Sequence, residues 1–233
     1  MNILITGASR GIGFACVKKM LETENHKILA LARNIQPLQD FLAKNPQFSQ
    51  RLCIYEFDIT HFQAEEYLQK WEEKFPHLDI LINNAGLLIN KPFLELTRED
   101  WGEMFEVNVF GCAKLIQTLY PLLKKSQKAH IVNIGSMGGH EGTSKFNGLS
   151  AYSASKAALA NLTECLAEEW KNEGISANCL MLGAVNTEML AEAFPGYQAP
   201  LNAAEIADFI AHFSLNAHHF LNGKLLPISL STP

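Results

Sequence analysis

The chain has 233 residues, 48% hydrophobic and 18% charged, with a formal net charge of -5. That combination excludes a disordered chain, which would be less apolar and more highly charged. Mild acidity without a basic stripe argues against nucleic acid as a partner, and the lack of an apolar run of about 18 residues argues against a membrane-spanning helix.

The five cysteines, Cys16, Cys53, Cys112, Cys165 and Cys179, are dispersed, odd in number and free of any C-x-x-C spacing. They point to a reducing, cytoplasmic setting without a disulfide framework. The run Ile3-Leu4-Ile5 begins almost at Met1, which leaves no charged segment for a cleavable signal. Short apolar runs alternate with longer helix-period segments, and there is no Pro/Gly/Ser linker or internal repeat. The expectation is an α/β chain, one domain over 1–233, with a doubly wound parallel sheet of about seven strands flanked by helices.

The first strand, 2–6, runs into Thr6-Gly7-Ala8-Ser9-Arg10-Gly11-Ile12-Gly13 and a helix over 11–24. Glycines at a strand-to-helix turn let the backbone approach a pyrophosphate, and the helix N-terminus offers free N–H groups and a positive dipole end. Gly7, Ser9, Arg10, Gly11, Ile12 and Gly13 are therefore candidate dinucleotide contacts. The G-x-x-x-G-x-G spacing differs from the common fingerprint, and a bare turn also favours glycine.

The second strand, 27–32, ends at Leu31-Ala32-Arg33. An NAD site places Asp or Glu here for the ribose 2′-hydroxyl. Arg33 can instead hold a 2′-phosphate bidentately, with Arg10 as a second positive charge. NADP(H) is thus the preferred cofactor and NAD(H) the less favoured one. After a helix over 35–44 and a strand over 52–57 comes Asp58, which can accept from an adenine amino group or cap its own turn.

A helix over 61–75 and a strand over 79–83 lead to Asn83-Asn84-Ala85-Gly86. Thr97 and Asp100 form a capping box, with Leu96 and Trp101 as its hydrophobic staple, at the start of a helix over 97–125. That helix carries Asn108 between Val107 and Val109, where Asn has poor propensity and burial demands partners. A strand over 129–135 ends at Ser136. A helix over 150–173 then holds Tyr152 and Lys156 four residues apart on one face. A strand over 176–182, an apolar segment with Met189, Leu190, Phe194 and Tyr197, a helix over 202–214 and a strand over 224–229 complete the chain. The His218-His219 pair lacks metal-ligand spacing, so it reads as a surface turn and no metal site is expected.

Taken together, Thr6-Gly7-x-x-x-Gly11-x-Gly13, Asn83-Asn84-Ala85-Gly86, Asn108, Ser136 and Tyr152-x-x-x-Lys156 resemble the short-chain dehydrogenase/reductase family, in the family's order and over nearly the whole chain. The resemblance implies a Rossmann-type fold and hydride transfer between a nicotinamide and a carbonyl carbon. It makes Tyr152 the general acid/base, Ser136 a hydrogen-bond donor to the carbonyl oxygen, Lys156 a ligand of the nicotinamide ribose, and Asn108 the holder of a water in a proton relay. It adds Asn84, Ala85, Gly86, Gly183, Val185 and Thr187 to the cofactor contacts, along with Tyr152 and Lys156 themselves. An ammonium about 4 Å from the phenolate, at an effective dielectric of about 20, is worth about 4 kcal/mol. That could bring the tyrosine pKa down by roughly three before desolvation is subtracted. A second match, Tyr120 to Lys124, contains Pro121, and Tyr120 reads as a packing aromatic at a helix terminus.

The chain departs from the family pattern in several places. The segment from Ser136 to Tyr152 is a few residues longer than usual, so Ser144 or Ser150 could compete with Ser136. Leu182 replaces the usual proline before Gly183, the lid after Thr187 is short, and Ser229-Leu230-Ser231 stands in place of the usual acidic residue and paired glycines after the last strand. Helices 97–125 and 150–173 carry apolar residues beyond one stripe (Phe105, Phe110, Leu159, Leu162 and Leu166), which with the resemblance implies a homodimer or homotetramer. The substrate is then a small carbonyl compound or alcohol, with no nucleic acid or membrane partner. The rival reading is a non-catalytic NADP-binding sensor or scaffold.

Overall fold

The computed structural model describes residues 1–23 and 26–230. In chain order these form β1 (Asn2–Thr6), α1 (Gly11–Thr23), β2 (Lys27–Ala32), α2 (Gln36–Lys44), β3 (Leu52–Glu56), α3 (Ala64–Glu72), β4 (Ile80–Asn83) and α4 (Arg98–Phe105). A π-helical turn, Glu106–Phe110, leads into α5 (Gly111–Lys124), followed by β5 (Ala129–Ser136), α6 (Ser150–Glu169), β6 (Ile175–Leu182), β7 (Val185–Asn186), α7 (Glu188–Ala193), β8 (Leu201–Asn202), α8 (Ala203–Asn216) and β9 (Leu225–Ile228).

Among the described residues the main sheet has seven strands in the order β3-β2-β1-β4-β5-β6-β9, and every neighbouring pair is parallel. This is a Rossmann-like doubly wound sheet. The strand order reverses beside β1, so a crevice opens at the carboxyl ends of β1 and β4. All five residues of β1 are buried. Because side chains alternate along a strand, Ile3 and Ile5 join the layer that includes Val17 and Met20 of α1 and Ile210 of α8. Leu4 joins the opposite layer, with Trp71 of α3 and Leu119 of α5. Each such fully buried Leu or Ile is worth on the order of 2 kcal/mol, which accounts for strands without a polar face.

Local sequence signals explain several helix ends. At α4, Thr97 accepts from the Asp100 N–H and the Asp100 carboxylate accepts from the Thr97 N–H, the expected capping box. A second box, Asn202 with Glu205, opens α8. The helix expected over 97–125 is not continuous. Its ladder widens at Glu106–Phe110, where the Gly111 N–H reaches back to the Glu106 carbonyl. Tyr120 lies inside α5 rather than at its end, and Pro121 is accommodated within the same helix. The Tyr120 ring packs on Trp170 at 5.1 Å, so the second Tyr-x-x-x-Lys match is structural. The helix expected over 150–173 ends at Glu169, the one expected over 61–75 shrinks to α3, and Glu24 of the helix expected over 11–24 lies outside the described residues. All five cysteines are free, and no helix among the described residues is long and apolar enough to cross a membrane.

Candidate active site

The carboxyl ends of the strands open into a cleft of about 820 Å³. Its floor at one end is the glycine loop. Gly7 and Gly11 take φ of 62° and 52°, the left-handed region that side chains disfavour. Thr6 Oγ1 accepts from the backbone N–H groups of Asn84 and Ala85, both at 3.0 Å. Asn84 Nδ2 donates to the carbonyls of Thr6 at 3.0 Å and Gly7 at 3.2 Å, so the Asn84 side chain fixes the loop from below. Gly13 does not line the cleft. A Cβ there would lie 2.3 Å from the Gly7 carbonyl oxygen, so this glycine permits the first turn of α1 to press against the loop.

Arg33 is exposed on the cleft wall at the end of β2. Asp58 faces it. Burial pulls the Asp58 carboxyl up, but the Thr60 hydrogen bonds and the Arg33 and His61 charges outweigh this and hold it below the usual range. Asp58 Oδ1 accepts from Thr60 N at 2.9 Å and Thr60 Oγ1 at 2.7 Å, so the turn-capping role is realised while the residue also lines the cleft. Arg10 is on the wall too, but its guanidinium pairs with Glu192 of α7 at 3.1 Å rather than standing beside Arg33 as a second free charge.

At the other end β5 delivers Ser136 and α6 delivers Tyr152 and Lys156. Ser136 Oγ accepts from the Gly138 N–H at 3.2 Å, and its hydroxyl is hydrogen-bonded with the Tyr152 phenol. Ser144 and Ser150 are not on the cleft wall, whereas Ser136 is. Lys156 is 4% exposed. Its Nζ donates to the Ile134 carbonyl at 2.8 Å and stands 5.9 Å from the centroid of the Tyr152 ring. The expected lowering of the tyrosine pKa is not realised in this arrangement. Burial pushes the Tyr152 phenol up to about 12, and only hydrogen bonding with Ser136 opposes it. Burial also lowers the Lys156 ammonium, against the buried Cys179 and Cys112.

Asn108 sits in the π turn, buried to 1%. Its Oδ1 accepts from Leu87 N at 2.8 Å, and its Nδ2 donates to Leu87 O and Ser155 Oγ, both at 2.9 Å. Ser155 Oγ in turn donates to the Tyr152 carbonyl at 2.7 Å. The side chain is thus committed to joining the segment after β4 to the first turns of α6, and it does not line the cleft. A relay water would therefore have to use backbone, and a π turn is a place where the carbonyl ladder is locally opened.

The mouth of the cleft is drawn together by a residue that sequence reasoning missed. Asn90 Nδ2 donates to the Ala193 carbonyl at the end of α7, at 2.7 Å. The long segment after Ser136 meets Asn90 from the other side: Lys91 N donates to the Gly148 carbonyl at 3.0 Å, and a Cβ on Gly148 would lie 1.8 Å from Asn90 Oδ1. Within that segment the Lys145 ammonium is enclosed by the carbonyls of Gly138 and His140 at 2.9 and 2.6 Å. No local motif marks Asn90, because its partner is 103 residues away.

Of the residues expected at the site, Gly7, Ser9, Arg10, Gly11, Ile12, Arg33, Asp58, Asn84, Ala85, Gly86, Ser136, Tyr152, Lys156, Gly183, Val185 and Thr187 all lie on the cleft wall, and Gly13 and Asn108 lie behind it. Thr187 also caps α7 by accepting from Leu190 N at 3.3 Å. His218 is half-buried, its ring against that of the buried His130 at 5.5 Å, and no group of three or more potential metal ligands occurs among the described residues.

The model of the short chain dehydrogenase family matches residues 1–198, and the chain belongs to that family. An uncharacterized oxidoreductase of Staphylococcus saprophyticus is 32% identical over 88% of this chain and 87% of its own length. A protein named fatty acyl-CoA reductase, from Acinetobacter baylyi, is 33% identical over 90% of this chain and 71% of its own. Among solved structures, a short chain dehydrogenase from Escherichia coli complexed with NADPH superposes with a TM-score of 0.87 at 28% identity, covering 97% of this chain and 95% of that one. One from Burkholderia cenocepacia in complex with NADP gives 0.85 at 27% identity, with 97% and 95% covered.

Proposed function

We propose that this oxidoreductase uses NADP(H) to reduce a carbonyl group to an alcohol, or to run the reverse reaction, with Tyr152 as general acid/base. The observation that carries the reading is the convergence of Ser136, Tyr152 and Lys156 on the same cleft that the glycine loop and Arg33 line. The NADP- and NADPH-bound structural relatives support the cofactor assignment.

The residues fit a dinucleotide. The positive-φ glycines leave the loop backbone bare where a pyrophosphate needs close approach, and the end of β2 offers Arg33 to a 2′-phosphate with no carboxylate in its place. Gly7, Ser9, Gly11 and Ile12 would hold the pyrophosphate, Asn84 to Gly86 the adjoining wall, Lys156 the nicotinamide ribose, and Gly183, Val185 and Thr187 the nicotinamide side. NADPH held there supplies the hydride for the carbonyl carbon.

The protein's part is the proton. With its phenol raised to about 12, Tyr152 holds its proton at neutral pH and so carries the proton that a carbonyl oxygen would receive. Ser136, within hydrogen-bond reach of the Tyr152 phenol, would turn its single proton to the carbonyl oxygen and orient it. Asn108 acts through Ser155 to hold the turn of α6 that carries Tyr152.

The test is NADPH consumption over a panel of carbonyls. Tyr152→Phe should lower kcat by about 10²–10⁴ while NADPH still binds. Cofactor binding without turnover of any carbonyl or alcohol would favour a sensor or scaffold instead.

We also propose that the chain acts as one domain, works in the cytoplasm and self-associates through the face bearing Phe105 and Phe110, the latter 56% exposed. Leu159 does not contribute, being buried in the chain's own core. A monomeric mass by light scattering would refute the assembly.

A further inference from the structure

The substrate half of the cleft has an unusual charge arrangement. Three segments meet there through Asn90: the stretch after β4 that carries Leu88, the long segment with Phe146 and Leu149, and the lid with Met189 and Phe194. All five of these side chains line the cleft. Phe194 directly follows Ala193, whose carbonyl Asn90 binds, and Phe146 lies two residues from Gly148, against which Asn90 is seated. Three apolar surfaces thus line the same cleft as Ser136 and Tyr152.

The acidic and lysine side chains near this space are turned elsewhere. The Glu188 carboxylate reaches back to the glycine loop, its Oε2 only 3.6 Å from where a Cβ of Gly11 would be. Glu192 is paired with Arg10 at the same end. Lys91 holds the Asp100 carboxylate at 2.8 Å. Lys145 spends its ammonium on the carbonyls of Gly138 and His140. Lys156 donates to the Ile134 carbonyl, and its remaining donors are assigned to the nicotinamide ribose. Among the described residues no lysine or arginine is left facing the apolar end to receive a carboxylate or phosphate on the substrate, and desolvating such a group there without a partner would be costly.

We propose that the substrate class is an uncharged, apolar carbonyl compound, a straight-chain aldehyde or ketone of medium length. Its hydrocarbon lies between Phe146 and Phe194, and carboxylate-bearing analogues are rejected. This rests on the reductase reading. The reaction balances as carbonyl plus NADPH plus a proton giving alcohol plus NADP, with the proton passing through Tyr152 to the oxygen.

Two measurements test it. In steady-state assays with NADPH, kcat/KM should rise about threefold to fourfold per methylene from butanal to octanal, as expected for burying CH₂ groups. Succinic semialdehyde should fall at least tenfold below butanal. Phe194→Ser should lower the octanal value at least tenfold more than the butanal value.

The second measurement involves no turnover. NADPH-saturated protein is titrated calorimetrically with octan-1-ol and with octanoate, and octan-1-ol should bind at least tenfold more tightly. A flat chain-length series, a preference for succinic semialdehyde, or equal binding of octanoate would overturn the substrate class while leaving the reductase standing. Failure of NADPH to bind, or to be consumed with any carbonyl, would overturn the reductase reading and this proposal with it.

Discussion

Arg10 of the glycine loop and Glu192 of the lid helix form an ion pair at 3.1 Å across 182 residues of chain. Both side chains are more than half exposed, so the pair is worth less than about 1 kcal/mol and is screened by salt. A ligand phosphate can therefore take Arg10 from Glu192 at little cost. Glu192→Gln should tighten NADPH by no more than a few-fold. Arg33→Ala should weaken NADPH by at least tenfold and leave NADH affinity nearly unchanged. Fluorescence titration of the two cofactors at several salt concentrations checks both, and equal losses for NADH and NADPH would refute the role of Arg33.

The raised phenol gives a sign that can be measured directly. An unperturbed tyrosine ionises near about 10, whereas Tyr152 is held up to about 12 by burial. In the cofactor-free protein, an ultraviolet titration of wild type minus Tyr152→Phe should show phenolate only as the pH nears the higher value. The neutral form is the one favoured by folding, so this group's stability contribution is present below about pH 10 and is lost as the pH rises toward the folded value. Ser136→Ala should raise the phenol further, because it removes the opposing hydrogen bond.

His130 has the opposite exposure to acid. Its ring is fully buried, with Nδ1 donating to the Ser214 carbonyl at 2.9 Å and Nε2 facing Asn178 Nδ2 at 3.0 Å. Burial holds its pKa down to about 4, against the usual value near 6.5. The unfolded chain binds the proton first, so stability is complete above about pH 6.5 and falls by about 1.4 kcal/mol per pH unit down to about pH 4. His130→Phe should be less stable at neutral pH, having lost both bonds, but should show a flatter acid limb in urea melts.

The glycines separate into those that packing requires and those it does not. Gly13→Ala places a methyl 2.3 Å from the Gly7 carbonyl oxygen and should abolish NADPH binding or folding. Gly148→Ala meets both a φ of 79° and Asn90 and should cost about 1–3 kcal/mol. Gly102 lies inside α4 with nothing near its absent side chain, so Gly102→Ala should stabilise the protein by about 0.5–1 kcal/mol. Thermal melts of the three variants give the order.

What could be read from the sequence was what is encoded locally. The glycine loop, the Thr97–Asp100 cap and the strands buried on both faces depend on neighbours a few residues apart, and they stand where expected. The π turn could not be read, because it depends on Gly111 pressing against a distant carbonyl: a Cβ there would come within 2.6 Å of Ile59 O. The same holds for Tyr152. Its spacing from Lys156 was legible, but the burial that sets its pKa arises from tertiary packing. Asn90 carries no motif at all, since an asparagine in a loop gains its meaning only from a partner on another segment.

The lid stands on two feet that are tied to each other. Val185 pairs with Leu201 and Asn186 with Asn202 in a two-residue parallel ladder. The Asn186 side chain also exchanges hydrogen bonds with the backbone of Ala199 at 2.7 and 2.8 Å. The segment between those feet reaches out at its lid helix, through Glu192 to Arg10 and through the Ala193 carbonyl to Asn90. Because its two ends are held together, a change of length in the segment should be absorbed there and leave β6 and α8 in place. Evolution, or an engineer, can thus retune what the cleft accepts by changing the stretch from Met189 to Tyr197, provided Thr187 stays in place for the cofactor.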